Sequence, residues 1–271
     1  MKSPRVKWKR LQQTVLISIV SFFTAGAFAH TEDHIQANVG FININTLPNA
    51  LTGISPIRLK ALQETASQLG ATGALAWRSI QINKSLQKEA AYLDRVFDFR
   101  RLLLPHHVLP PVISQASGTL NLASDISIRG DSQTYMLIKP ARFVTTAPTW
   151  RDYLWMNYSK PSLPNNTLLP TNKNEAIAWN AYLKQGWQEG LLQANAIFEA
   201  NLSRLKRDYS GMILFNNLLQ KHMVTAPYVA ESTLGVTGNA SELHINDHIA
   251  RITDPAKLQV NSRAWSPVFT H

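Results

Sequence analysis

Cysteine is absent from all 271 residues, which excludes disulfides, zinc–thiolate sites, cysteine nucleophiles and lipid attachment at a cysteine. Acidic residues are also scarce: 17 stand against 27 lysines and arginines, for a net charge of +10. Five of those bases (Lys2, Arg5, Lys7, Lys9 and Arg10) fall in the first ten residues with no acid among them, and the remainder carries +5 from 22 bases and 17 acids. So thin a surplus favours solubility and contact with acidic surfaces. It lacks the concentrated basic face of a nucleic-acid binder, so direct nucleic-acid binding is not expected. Beyond residue 29 no uncharged apolar run approaches the length of a membrane span. Catalytic signatures are missing too. No serine sits in a G-x-S-x-G elbow, and the glycines at 70 and 73, or 235 and 238, match neither a Walker A loop nor a dinucleotide fingerprint. At 45% hydrophobic and 16% charged, the chain still has ample material for a large core.

The N-terminus reads as an address. Residues 1–13 are basic and polar, residues 14–29 carry no charge, and Ala27-Phe28-Ala29 offers small residues where a signal peptidase reads. Sixteen uncharged residues rise only ~24 Å as a helix, short of a ~30 Å hydrocarbon core, so cleavage before His30 is expected over a retained anchor. The organisation that follows is a signal peptide over 1–29, a flexible lead-in over 30–56 and a single domain over 57–271.

Hydrophobic spacing sets the expected elements. Leu59, Leu62, Ala66 and Leu69, then Leu75, Ile82, Leu86, Leu93 and Phe97, predict one broken helix or a helical hairpin, loosened at Gly70 and Gly73. Short β-rich runs at 126–129, 135–139 and 142–146 read as strands, with a turn at Arg129-Gly130-Asp131-Ser132. Thr149 with Asp152 makes a capping-box-like start for a short aromatic helix, and Pro161, Pro164 and Pro170 then enforce a linker or draped loop. Leu183, Trp187, Leu191, Ala194, Phe198, Leu202 and Leu205 recur every three or four residues and predict a helix from about Asn174 to Asp208. Gly211 is expected to interrupt it, and Arg204, Lys206 and Arg207 to complement its C-terminal dipole. Segments 228–236 and 242–252 read as strands around turns at Gly235, Gly238 and Asn239. The fold class is therefore α+β: several helices, one of them long, packed on a small, mostly antiparallel sheet.

Candidate chemistry is sparse. His30 and His34, His106 and His107, and His244 and His248 are the histidine pairs, each read as surface histidines over metal ligands. Glycan cleavage needs two carboxyl groups about 5–9.5 Å apart, whereas Glu189 and Glu199 lie ~15 Å apart along a helix. Glu64 and Glu89 would need distant partners and read as solvated helix-face groups. No cofactor is expected. The unusual feature is aromatic: Trp150, Tyr153, Trp155 and Tyr158 fall within nine residues, beside Arg151. Trp, Tyr and Arg dominate binding hot spots, which makes Trp150, Arg151, Trp155 and Tyr158 the candidate partner-binding residues, with Arg151 and Trp155 as leading anchors and contacts concentrated in 150–170.

Several strings lie in order along the chain: ALAWRSIQIN (74–83), LDRVFDF (93–99), LLLPHHVLPPV (102–112), ARFVTTAPTWRDYLWMNY (141–158), LLPTNKNE (168–175), GWQEG (186–190), NLSRLKRDYSGMILF (201–215) and LGVTG (234–238). Together, over roughly residues 57–265, they resemble the DotC family of type IVB secretion systems, the Dot/Icm kind and the transfer machines of I-type conjugative plasmids. The resemblance implies a non-enzymatic structural subunit of the outer-membrane core complex, acting with DotD-like and DotH-like proteins to place the latter at the outer membrane. Members in effector-secreting bacteria are lipoproteins. With no cysteine here, periplasmic residence and outer-membrane association through partners are expected instead, as in a plasmid conjugation version of the machine. The alternative from another class is a periplasmic peptidoglycan-binding or glycan-cleaving envelope protein.

Overall fold

The computed structural model describes residues 53–124 and 127–266. The expected signal peptide, its cleavage site, nearly all of the lead-in and the His30–His34 pair lie outside the described residues. The chain gathers into two compact units, one running to Thr65 and including Asn165–Tyr182, the other comprising Ala66–Pro164 and Leu183–His271.

In order, the elements are α1 (Pro56–Lys88), α2 (Ala90–Val96), β1 (Val108–Leu109), β2 (Val112–Ser124), β3 (Ser127–Lys139), β4 (Arg142–Phe143), α3 (Arg151–Leu154), α4 (Lys173–Gln220), β5 (Tyr228–Gly238) and β6 (Leu243–Asp254), with short 3-10 turns between. The fold is α+β, and its strands are antiparallel. Among the described residues they form three two-stranded ladders, β1–β4, β2–β3 and β5–β6, in place of the one small sheet expected.

In the smaller unit, Arg58 near the start of α1 is the organising residue. Its guanidinium donates to both Glu175 carboxylate oxygens, at 3.3 and 3.0 Å, and to the carbonyls of Thr167 and Leu169 at 2.6 and 2.7 Å. Glu175 also accepts from the Thr171 backbone N–H at 2.8 Å, while its own N–H donates to the Asn172 side chain. Asn172 thus caps the start of α4 as in an N-x-x-E capping box, while the Glu175 carboxylate reaches one residue further back, to the Thr171 N–H. Hydrogen bonds from Arg58, and then from the Thr171 backbone, hold the Glu175 carboxyl down at about 2.

In the larger unit α1 and α4 pack at backbone distance. Gly70 meets the main chain of Leu183 and Trp187, Gly186 meets that of Ser67, and Gly190 that of Ala71, so no Cβ fits at these positions. The expected loosening at Gly70 does not occur: the glycine lets a neighbouring helix in, and α1 runs unbroken until Lys88. Trp77 and Trp187 pack with ring centroids 6.0 Å apart, and Arg78 Nε donates to Asn195 at 2.9 Å. The stripe identified on α4 is buried at Ala194, Phe198, Leu202 and Leu205, and burial continues through Met212, Phe215 and Leu218. Gly211 does not interrupt this helix. It faces Val112 and Ile113 of β2, where a side chain would collide. Arg204, Lys206 and Arg207 consequently lie well inside α4 and not at its C-terminus, and the dipole reading of them fails.

Two further expectations change. The Arg129–Ser132 stretch lies within β3, Arg129 to Asp131 opposite Asn121 to Thr119 of β2, and the hairpin connection falls at 125–126, outside the described residues. Gly235, expected at a turn, lies inside β5 at φ 78°, where the register with β6 shifts.

Candidate functional site

The aromatic segment 149–158 is short in helix and heavily tethered. Thr149 donates from its backbone N–H and its hydroxyl to Asp152, at 2.6 and 3.0 Å, which starts the single turn α3 as the capping pattern predicts. Trp150 is fully buried, and its indole Nε1 donates to Asp94 of α2 at 2.7 Å. The same Asp94 oxygen accepts from Arg151 at 2.8 Å, and the Arg151 guanidinium lies over the Trp150 ring, 4.3 Å from its centroid. These hydrogen bonds, Arg151's first and Trp150's second, lower the Asp94 carboxyl below its ordinary range.

Beyond α3 the chain extends, and α1 grips it. Asn83 donates to the Met156 carbonyl at 2.6 Å and accepts from the Met156 N–H at 3.1 Å, filling both backbone groups as a neighbouring strand would. Leu154 and Met156 point inward, whereas Trp155 stays 47% exposed and Tyr158 36%. Four candidate residues thus divide: Trp150 serves the core, Arg151 is half-buried beside it, Trp155 is turned outward next to the pinned Met156, and Tyr158 is partly exposed two residues further on.

Tyr153 reaches the other way, into a polar knot that sequence reasoning missed. Its ring stacks on Phe99, 5.8 Å between centroids, and Phe99 in turn meets Tyr209 edge-on. Its hydroxyl donates to Asp208 at 3.2 Å. Asp208 is wholly buried and also accepts from Lys139 at the end of β3, at 2.5 Å, and from Arg207 at 3.1 and 3.2 Å. Burial, and then the neighbouring Asp208 charge, push the Tyr153 phenol up to about 12. The signal for Asp208 was present in its spacing: three and six residues beyond Leu205 and Leu202 of the apolar stripe, an acid there has to be buried and therefore paired.

Beside the knot, Ala200, Asn201, Ser203, Arg204 and Arg207 line a shallow depression on α4. Arg204 lies over the Tyr153 ring. The other candidates stay apart. His106 Nδ1 contacts Glu231 at 2.5 Å and His244 contacts Glu242 at 3.5 Å, while Glu64 pairs on the surface with Lys60. Among the described residues no group of three or more histidines and acids could hold a metal, and no helix is long and apolar enough to cross a membrane.

The model of the family described as type IV secretory system, conjugal DNA-protein transfer, matches residues 56–267. The chain belongs to this family. No curated protein matches it. The match begins at the first residue of α1 and ends just past the described C-terminal segment, so both long helices, the aromatic segment and the three described ladders of this conjugal transfer component fall inside it.

Proposed function

We propose that the protein is a non-enzymatic structural subunit of the outer-membrane core complex of a type IVB conjugative machine, a DotC-like component that helps place a DotH-like partner together with a DotD-like protein. The observation that carries this reading is family membership across nearly all the described chain, joined to the ordered strings that resemble DotC. The pinned segment with Trp155 and Tyr158 turned outward supports it: a side chain already fixed in its bound arrangement loses little freedom on docking. Affinity purification from cell envelopes tests it. Co-purification of DotD-like and DotH-like subunits is the expected result, and recovery of the chain without any secretion subunit would sink the proposal.

Export belongs to the same reading. Mass spectrometry of the envelope-derived protein should find His30 at the N-terminus and no lipid. Retention of residues 1–29 would place the protein at the inner membrane, the wrong one for this role.

A further inference from the structure

We propose that the depression on α4 beside Asp208 binds a phosphate group, carried by an anionic lipid headgroup or by a soluble phosphate. The site needs neither the DotD-like nor the DotH-like partner and does not rest on the role proposed above.

Over the whole sequence the basic surplus is thin, yet the fold collects part of it in one place. Arg204 and Arg207 stand one turn apart on α4 and line the depression with Asn201 and Ser203. Lys139 and Arg142 join them from the ends of β3 and β4. Lys139 meets Arg207 on the Asp208 carboxylate, and Arg142 and Arg204 are both close enough to the Tyr153 phenol to act on its ionisation. All four bases are exposed. Among the described residues the carboxylate bonded to them is Asp208, which is wholly buried and turns no negative charge outward. Of the other acids close by, Asp152 is taken up by Thr149 and Asp94 by Trp150 and Arg151, and Glu199 lies outside the lining.

These cations are already held in position. Asp208 fixes the Lys139 ammonium and one edge of the Arg207 guanidinium, through Nε and Nη2. Arg204 donates to the Asn201 side-chain carbonyl at 3.2 Å and lies over the Tyr153 ring. A guanidinium carries five N–H donors in a planar fork that matches two oxygens of a phosphate, and each of these arginines commits only part of its fork. The Asn201 amide nitrogen and the Ser203 hydroxyl add neutral donors at the same hollow. Donors and surplus positive charge together select an oxyanion, and phosphate brings more charge and more acceptor oxygens than a carboxylate does.

A single phosphate group suits the place better than a nucleic-acid strand. Ala200 to Arg207 spans only about 10 Å of helix. The neighbouring rings are occupied as well: Tyr153 has Phe99 stacked on it and Arg204 over it, and Tyr209 meets Phe99 edge-on, so a base finds no stacking platform there.

The test uses the full chain isolated from envelopes and two probes. Vesicles of equal parts phosphatidylglycerol and phosphatidylcholine, against phosphatidylcholine alone, are read by flotation at low and high salt, and inorganic phosphate is read by thermal melting. Arg142→Gln with Arg204→Gln empties the site of two cations; Lys257→Gln with Arg263→Gln removes the same charge from exposed positions elsewhere. Where the first pair lowers the melting temperature without ligand, Ser203→Glu takes its place and puts a carboxylate into the hollow from an exposed position. Binding to the anionic vesicles that weakens with salt is expected, reduced about tenfold by the site pair and unchanged by the control pair. Melting raised by inorganic phosphate, with no vesicle binding and with the rise lost in the site pair, assigns a soluble phosphate and equally supports the site. A wild type that responds to neither probe overturns the proposal, as does binding that both pairs weaken alike. A single-stranded oligonucleotide that displaces the vesicles and is released by the site pair would also overturn it, in favour of a strand.

Discussion

Replacing Asp208 removes the acceptor shared by Lys139, Arg207 and Tyr153, three groups from three parts of the larger unit. Because breaking a buried ion pair leaves charge unmatched, Asp208→Ala is expected to cost about 3 kcal/mol in chemical denaturation, at the low end for such sites since both cations are half-exposed and can reach water. Tyr153 reports the same contact through its own titration. Its phenol loses its proton only near 12 in the folded chain, against an ordinary 10, so the stability tied to the neutral form is intact below pH 10 and is lost as pH rises toward 12. In Asp208→Asn the charge that opposes ionisation is gone, and ultraviolet titration should show the phenol moving back toward 10. Glu175 runs in the opposite sense. Arg58 holds it at about 2 against an ordinary 4.5, so its contribution is present above pH 4.5 and disappears as pH falls toward 2. Acid titration monitored by circular dichroism should show a loss between pH 4.5 and 2 that Glu175→Gln lacks. A Glu175→Gln profile matching the wild type would assign the acid sensitivity elsewhere.

At the scale of elements, two glycines of one helical pair make a sharp contrast. A methyl added at Gly186 lands on the backbone of Ser67, which cannot yield without separating α1 from α4, whereas one added at Gly73 meets the Trp187 ring at 3.4 Å, a distance that ordinary contact tolerates. Both changes gain helix propensity, about 1 kcal/mol for Gly to Ala. The overlap costs about 1–3 kcal/mol only at the first. Thermal melting should therefore fall for Gly186→Ala and hold or rise for Gly73→Ala; equal shifts would mean that the helices are not in backbone contact. This contact explains what could be read from sequence and what could not. The apolar stripes of α1 and α4 were visible because burial on one helix face imposes a period of 3.6 wherever it occurs. The Thr149–Asp152 start was visible because capping is local. Gly70 and Gly211 misled because a glycine that breaks a helix and one that admits a neighbour look alike until the neighbour is placed. Arg129–Ser132 misled for a related reason: pairing along the whole of β2 outweighed local turn chemistry. Of the candidate site, the aromatic composition was legible from residue type, but Asp94 and Asn83, which fix its geometry, lie 56 and 73 residues away from their partners.

For the whole molecule the question is how a chain in a conjugal transfer family meets its neighbours, and Trp150 and Trp155 separate support from contact. They are five residues apart and chemically identical. Trp150 is buried to the last atom with its indole N–H on Asp94, so Trp150→Ala opens a cavity and leaves Arg151 as that carboxylate's remaining donor, at an expected cost of about 3–5 kcal/mol. Trp155 is half out of the protein, and the backbone on either side is held by Leu154 in the core and by Asn83 on Met156. Trp155→Ala therefore removes a contact surface while leaving its support standing, and melting should change by less than about 1 kcal/mol. If the outward rings recruit the other secretion subunits, Trp155→Ala strips those subunits from the purified envelope complex at unchanged stability, and Trp150→Ala loses them only by unfolding. Tyr158→Ala serves as the second probe of the same surface. Retention of every partner by both Trp155→Ala and Tyr158→Ala would move the docking site away from residues 150–170.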